Sequence, residues 1–138
     1  MATAAVDVED PRVRRSRLIG ASGLALMSVL HFTVPSAFDR IIPTWTPGSN
    51  PRAWTYLSGL WELTSAVLLA NRRTKRLGGW AAAATLTAVY PANVQMAIDN
   101  PPTTPFGIAL LLRLPLQFPL IAWALKHARG GGAISPGT

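Results

Sequence analysis

The sequence predicts an all-α membrane protein in which four transmembrane helices form an antiparallel bundle with both termini in the cytoplasm. Three observations support this fold class. Hydrophobic residues make up 49% of the 138 residues, and they gather in four runs near the ~20 residues that a helix needs to cross a bilayer. The basic residues lie in short clusters between these runs, as is typical of membrane proteins. The connections are short, which favours antiparallel neighbours.

The four predicted spans follow one another along the chain at residues 18–38, 53–70, 77–96 and 106–125. The second run is short for a membrane span. The fourth contains Pro115 and Pro119, and a proline inside a helix removes a backbone donor. A loop of about 14 residues between the first two spans is expected either to lie on the lipid headgroups or to cover the mouth of the bundle.

The basic clusters set the predicted orientation. Ten Lys and Arg residues lie before the first span, between the second and third, and after the fourth, whereas the opposite side has only Arg40 and Arg52. Loops rich in Lys and Arg stay in the cytoplasm. The predicted parts are a cytoplasmic N-terminal segment, a transmembrane domain and a flexible cytoplasmic tail, at residues 1–17, 18–125 and 126–138.

Composition excludes several kinds of function. The net charge is +7, but the cations do not form the continuous face with which basic proteins bind nucleic acid, so no nucleic-acid partner is predicted. Cysteine is absent from the sequence, which excludes disulfides and thiol chemistry by this chain. His31 and His127 lie far apart in the sequence, so no metal site is predicted.

Each predicted span carries one strongly polar residue in an otherwise apolar run: His31, Glu62, Asn93 and Arg113. A charge at the centre of a lipid-embedded helix costs about 2.5–3.5 kcal/mol, so such a residue rarely persists without a partner or a function. His31, Glu62 and Arg113 fall about 10–13 Å below the outer ends of their spans, given the rise of an α-helix, and Asn93 lies slightly nearer the surface. The sequence therefore predicts one polar layer.

Other polar residues share these helix faces. Ser58 precedes Glu62 by one turn, on a stripe of small and hydroxyl residues that suits close contact with another helix. Gln117 follows Arg113 by one turn. The candidate binding pocket has seven residues, with no catalytic or metal-binding residue among them: His31, Ser58, Glu62, Tyr90, Asn93, Arg113 and Gln117.

Two interpretations of the polar layer stay open. In the first, Glu62 and Arg113 form an ion pair that sets helix order, and His31 and Asn93 satisfy the remaining donors and acceptors. In the second, the layer is a pocket open to the outer face. Glu62 is then a hydrogen-bond acceptor or proton carrier, His31 its titratable partner, and Arg113 the anchor for an anion or a carbonyl. The two are compatible.

Several short segments form a recognisable series: HF, VP and F within 31–38, IIP at 41–43, WTYLSGLWE at 54–62, RRTKRLGG at 72–79 and YPANVQM at 90–96. They combine a histidine in the first span with SG-x-x-E in the second and P-x-N in the third. Over roughly residues 18–125, this combination resembles the DoxX family of small four-span bacterial membrane proteins.

The resemblance implies a four-helix bundle in the bacterial cytoplasmic membrane. Members of this family are associated with thiosulfate:quinone oxidoreduction and with membrane oxidoreductase complexes, and the wider superfamily is related to proteins that bind sterols or lipids in an intramembrane pocket. By motif position, His31, Glu62 and Asn93 would be pocket residues. Because the sequence has no cysteine, this chain does not fit a thiol-redox role, and any redox chemistry would need a bound quinone or a partner subunit.

The expected function is that of a non-catalytic accessory subunit or binding protein whose pocket takes a quinone, a lipid or a similar amphipathic molecule. One alternative is a subunit of a quinone-linked oxidoreductase, with Glu62 and His31 relaying protons. A second is a small proton-coupled transporter, against which the lack of a repeat weighs. Expected partners are membrane lipids, and either other membrane-complex subunits or further copies of the chain. No cofactor is assigned beyond a bound quinone or lipid.

Overall fold

The computed structural model describes residues 9–130, and these fold into six α-helices. The outer parts of the two terminal segments, 1–8 and 131–138, lie outside the described residues, and with them most of the predicted flexible tail. In chain order the helices are α1 (Pro11–Thr33), α2 (Pro35–Asp39), α3 (Pro51–Ala70), α4 (Lys75–Ala88), α5 (Tyr90–Asp99) and α6 (Pro105–Ala128).

The three long helices begin in the same way, with a capping side chain directly before a proline. Asp10 accepts a hydrogen bond from the backbone N–H of Arg12 at 2.7 Å, and Asn50 and Thr104 cap α3 and α6 in the same manner. Proline suits the first helical position because its missing N–H would have no partner there. This signal places the start of α1 at Pro11, so the basic cluster before residue 18 is helical rather than a separate segment.

The structure divides the third predicted span into two helices, α4 and α5. α4 has 14 residues and α5 has 10, and the chain leaves the helix at Val89, two residues before Pro91. Proline cannot donate to the carbonyl four residues earlier, and its ring crowds that turn. At 1.5 Å per residue, α4 is only about 21 Å long, which is shorter than the hydrocarbon layer of a bilayer.

The prediction of a bundle of four transmembrane helices is wrong. Among the described residues only α6, with 24 residues, is long and apolar enough to cross a membrane. Arg17 and His31 interrupt the apolar sequence of α1, and Glu62 with several hydroxyl residues does so in α3, which lowers the mean hydropathy of both helices. The prediction that both termini lie in the cytoplasm rested on four crossings, and it fails with them. The all-α class itself is confirmed.

Small residues bring the helices together. α1 packs on α3, α3 on α4, and α4 on α6, while α2 covers the start of α3 and α5 lies on α6. A Cβ at Gly78 would overlap the backbone of Leu69 in α3, and one at Gly79 would overlap the backbone of Ala128 in α6. The centre of this packing consists of three alanines: Ala82, Ala83 and Ala124. Residues without large side chains let helix backbones approach closely.

The two helices at the ends of this series, α1 and α6, meet through the ring of Trp123. Gly20 leaves room for the ring, because a Cβ at that position would overlap it. The indole Nε1–H of Trp123 also donates to Ser16 Oγ at 2.8 Å. Farther along the two helices, a cavity takes the place of direct packing.

The surface of the protein is apolar and much of its interior is polar. Large hydrophobic side chains along α1, α3 and α6 are exposed, and Ile19, Val67 and Phe118 are each at least 60% exposed. Polar and charged residues are buried instead, among them Arg17, Glu62 and Gln117. Contiguous apolar surface of this kind is characteristic of contact with lipid or with another protein.

Candidate functional site

A cavity of about 670 Å³ lies between α1 and α6, with α3 and α4 behind it. This volume falls in the range of sites for small molecules. Most of the wall is apolar, and three side chains with strong polar groups line it: Glu62, Arg113 and Gln117. The cavity therefore combines a largely hydrophobic wall with a few polar groups, which is the usual composition of a small-molecule site.

Glu62 and His31 meet at this wall. The Glu62 Oε2 atom lies 3.1 Å from Nδ1 of His31, but the Nδ1–H of His31 points to the carbonyl of Met27, 2.8 Å away. Glu62 Oε2 is consequently buried without a hydrogen-bond partner. An unsatisfied buried oxygen is costly, and more so on a charged group. A short distance alone does not make a hydrogen bond, because the donor hydrogen must also point at the acceptor.

Phe38 covers the histidine. Its ring stacks on the His31 ring with the centroids 3.8 Å apart. The short helix α2 that carries Phe38 is tied to α3 by Asp39, which accepts hydrogen bonds from Arg52 Nε at 2.8 Å and from Thr55 Oγ1 at 2.7 Å. The hydrogen bond from Arg52 holds the pKa of Asp39 below its usual value. The loop after α1 therefore shields the His31–Glu62 pair at this end of the bundle.

Arg113 lies apart from Glu62. Its side chain is exposed and makes no ion pair with Glu62, although both residues line the cavity. The predicted Glu62–Arg113 ion pair is therefore absent, and His31 takes the place next to the acid. A long arginine side chain can extend toward the surface while its stem covers apolar atoms, which helix position alone does not reveal.

A second pair of predicted residues meets between α5 and α6. The side-chain amide of Asn93 donates to Gln117 Oε1 at 3.4 Å, and Gln117 Nε2 donates to the carbonyl of Leu86 at 2.5 Å. Asn93 is 6% exposed and Gln117 is 2% exposed, so both amides are satisfied inside the protein. This pair binds α5 and α4 to α6 beside the break in the third predicted span.

Of the seven predicted residues, three line the cavity, Glu62, Arg113 and Gln117, and four do not, His31, Ser58, Tyr90 and Asn93. Tyr90 is half-buried, and its ring packs against Phe118 with the centroids 5.5 Å apart. Ser58 is half-buried on α3, one turn before Glu62. The seven predicted residues thus divide into the His31–Glu62 pair, the Asn93–Gln117 pair, Arg113 at the exposed edge of the cavity, and two residues outside these groups, Ser58 and Tyr90.

Sequence reasoning missed a buried ion cluster at the opposite end of α1. Arg17 is 1% exposed and makes two hydrogen bonds to the Glu9 carboxylate, at 3.0 and 2.9 Å. Its Nη1 atom also donates to the carbonyls of Leu69 and Ala70, at 2.5 and 2.7 Å. Lys75 completes the cluster, with its Nζ 3.3 Å from Glu9 Oε1.

This cluster caps the C-terminal end of α3, because Arg17 donates hydrogen bonds to the last carbonyls of that helix. The last carbonyls of a helix lack intrahelical donors and carry partial negative charge, so a cation there is favourable. The hydrogen bond from Arg17 outweighs the effect of burial and lowers the pKa of Glu9 to about 2. Helical spacing could have identified Arg17, since it lies four residues before Ala21 on the buried face that also carries Ser28 and His31.

In residues 9–130 no three His, Cys, Asp or Glu side chains converge on a point that could hold a metal ion. The arrangement that the cavity does provide is an apolar space, a buried carboxylate with an unused acceptor, and a guanidinium at the edge. Such a site can hold an apolar body and orient one polar group.

No curated protein and no solved structure matches the chain. One family model matches residues 19–128, and its description is "Domain of unknown function (DUF8561)". The resemblance to DoxX proteins stays a prediction. Because the matched residues run from the third turn of α1 to the last residue of α6 and make up most of the chain, the protein belongs to the DUF8561 family.

Proposed function

We propose that this protein is a non-catalytic binding protein or accessory subunit that holds a quinone, a lipid or a similar amphipathic molecule in the cavity between α1 and α6. The cavity volume of about 670 Å³ suits such a molecule. Leu116 and Leu120 of α6 line the cavity and are also exposed at the surface, so an apolar tail can enter from the side of the bundle.

The observation that carries the proposal is the state of Glu62. This residue is 8% exposed, its Oε2 has no hydrogen-bond partner, and it lines the cavity. Buried polar groups in folded proteins are nearly always paired, and a specific exception calls for an explanation. A bound molecule that supplies the missing partner explains this one.

We further propose that the protein associates with the bacterial cell membrane through α6. Only 17% of the most apolar 18-residue stretch of α6 is buried, so this helix is not the core helix of a globular protein. Membrane lipid is then both the surroundings of the protein and a source of ligand. In cell fractionation, the full chain should sediment with membranes and resist extraction by alkaline carbonate. Recovery in the soluble fraction would contradict membrane association.

A variant that fills the cavity tests the binding proposal. Gly23 lines the cavity, and a Cβ at this position would meet nothing within 4 Å. Gly23→Leu should therefore fill the space without disturbing neighbouring backbone. The measurement is the amount of lipid or quinone per chain that remains bound after purification in a mild detergent, by extraction and mass spectrometry. We expect about one molecule per chain in the wild type and a loss of most of it in Gly23→Leu.

Gly23→Ala is the matched control, because it changes the same position but leaves most of the cavity open. Its bound molecule should be retained. Equal amounts in the wild type and in Gly23→Leu, with both proteins folded by circular dichroism, would contradict binding in this cavity.

A further inference from the structure

We infer that the polar end of the bound molecule is a neutral hydrogen-bond donor, a phenol or an alcohol, and that it donates to the carboxylate of Glu62. This inference rests on the proposed function and adds the chemical class of the ligand. It distinguishes a quinol, a fatty alcohol or another hydroxyl-bearing lipid from a quinone or an acidic lipid.

Three of the predicted polar residues, His31, Asn93 and Gln117, donate hydrogen bonds to groups other than Glu62. The Nδ1–H of His31 donates to Met27, and Gln117 Nε2 donates to the carbonyl of Leu86. The side-chain amide of Asn93 donates to Gln117. Arg113 also lines the cavity, but it is exposed at the edge and makes no ion pair with Glu62.

The ligand must be the donor in a hydrogen bond with the Glu62 carboxylate. An ionised carboxylate only accepts hydrogen bonds. A quinone carbonyl or a phosphate oxygen placed beside Glu62 would put two acceptors together, which is repulsive. A hydroxyl supplies the donor that the carboxylate lacks.

A strongly charged head group is unfavourable in this cavity. Around Glu62 the cavity is lined by apolar side chains, among them Met27, Leu86 and Leu116. Moving an ammonium group into such surroundings costs much of its hydration. A neutral hydroxyl loses far less hydration and gains a charge-assisted hydrogen bond, which is stronger than a neutral one.

A pair of probes that differ in one hydrogen-bond donor tests the inference. 4-Dodecylphenol and 4-dodecylanisole have the same ring and tail, and only the phenol donates a hydrogen bond. Binding to the full-length protein in lipid nanodiscs can be measured by equilibrium dialysis with quantitation by mass spectrometry. We expect the phenol to bind the wild type about 10-fold or more tightly than the anisole, as a hydrogen bond to a charged group implies.

Glu62→Gln should reduce this preference to about threefold or less, because a neutral acceptor binds a hydroxyl more weakly. Asp99→Asn is the matched control: Asp99 is an exposed acid outside the cavity lining, so the preference should remain. Folding of each variant is checked by circular dichroism, and if Glu62→Gln does not fold, the ratio in the wild type decides.

The outcomes separate the inference from the proposed function. Equal affinity of the wild type for both probes would overturn the donor inference and leave binding in the cavity intact. An unchanged preference in folded Glu62→Gln would overturn the role of Glu62. Binding of neither probe to the wild type would remove the proposed function as well.

Discussion

Glu9 and Glu62 are both buried, with 8% of each residue exposed and with side chains that are 3% and 11% exposed, but their surroundings differ. Glu9 receives two hydrogen bonds from Arg17 and one from Lys75. Glu62 has only the nearby Nδ1 of His31, whose hydrogen points to Met27. One end of the bundle thus holds a carboxylate with all its partners, and the other holds a carboxylate that lacks them.

The difference separates a structural charge from a candidate binding group. The Glu9 cluster joins the start of α1 to the last carbonyls of α3 and to Lys75 of α4, and both carboxylate oxygens of Glu9 accept hydrogen bonds within the protein. Glu62 lies next to a cavity, and its buried Oε2 bears the cost of making no hydrogen bond, although His31 Nδ1 lies 3.1 Å away. Folded proteins tolerate such local costs mainly at functional sites.

The largest effect is expected at Arg17. Arg17→Met keeps the length of the side chain but leaves the Glu9 carboxylate with only Lys75 and the carbonyls of Leu69 and Ala70 without their donor. Breaking a buried ion pair from one side costs about 3–5 kcal/mol. The free energy of unfolding, measured by denaturant titration in detergent micelles, should fall by about this amount.

Arg14→Met is the matched control for this prediction, because Arg14 is exposed on the same helix. Its free energy of unfolding should change by less than about 0.5 kcal/mol, as for most surface substitutions. Similar values for the two variants would mean that the Glu9 cluster does not hold the helices together.

The same substitution at the two acids should give different results. Glu9→Gln removes a charge that two cations compensate, and should lower the free energy of unfolding by about 1.5–3 kcal/mol. Glu62→Gln removes a charge that lacks a hydrogen bond, and should change stability by less than about 1 kcal/mol or raise it. Equal losses would end the distinction between the two carboxylates.

The pH dependence of stability should follow Glu9. Because its pKa is lowered from 4.5 to about 2 in the folded protein, the unfolded chain takes up a proton first as the pH falls. The stabilisation from Glu9 is therefore fully present above about pH 5 and is lost between about pH 5 and pH 2.

Thermal unfolding of the wild type and of Glu9→Gln, recorded across this range, measures that contribution. The difference in Tm between them should shrink as the pH falls, since the variant has no carboxylate to protonate at this position. A constant difference down to pH 2.5 would show that the ion cluster does not stabilise the folded chain.

Some of this arrangement follows from the sequence and some does not. Helical spacing and span depth place His31 near Glu62, and the structure brings them within 3.1 Å. The same reasoning puts Arg113 next to Glu62, where it does not lie. Depth and helix face locate a Cα atom. An arginine side chain is long enough that its guanidinium can lie either inside the bundle or at the protein surface.

The helix boundaries show a similar division. The caps before α1, α3 and α6 can be read from Asp10, Asn50 and Thr104, each followed by proline. The break at Val89 also has a local signal in Pro91, but a single proline does not reveal whether a helix bends or ends. The partners of Arg17 are 52 and 53 residues away along the chain, at Leu69 and Ala70, and local pattern cannot predict them.

The smallest expected effect compares two glycines of α1, one at the packed end of the cavity and one at its open side. Alanine stabilises a helix interior by about 0.5–1 kcal/mol relative to glycine. Gly23→Ala should show this gain, because a Cβ there meets nothing within 4 Å. Gly20→Ala should instead destabilise the protein, because its Cβ would overlap the ring of Trp123 and disturb the hydrogen bond to Ser16. Denaturant titration of both variants measures whether each substitution raises or lowers the free energy of unfolding. A loss of stability in Gly23→Ala would mean that other atoms occupy the space beside Gly23, and the unsatisfied carboxylate of Glu62 would then have no cavity through which a ligand could reach it.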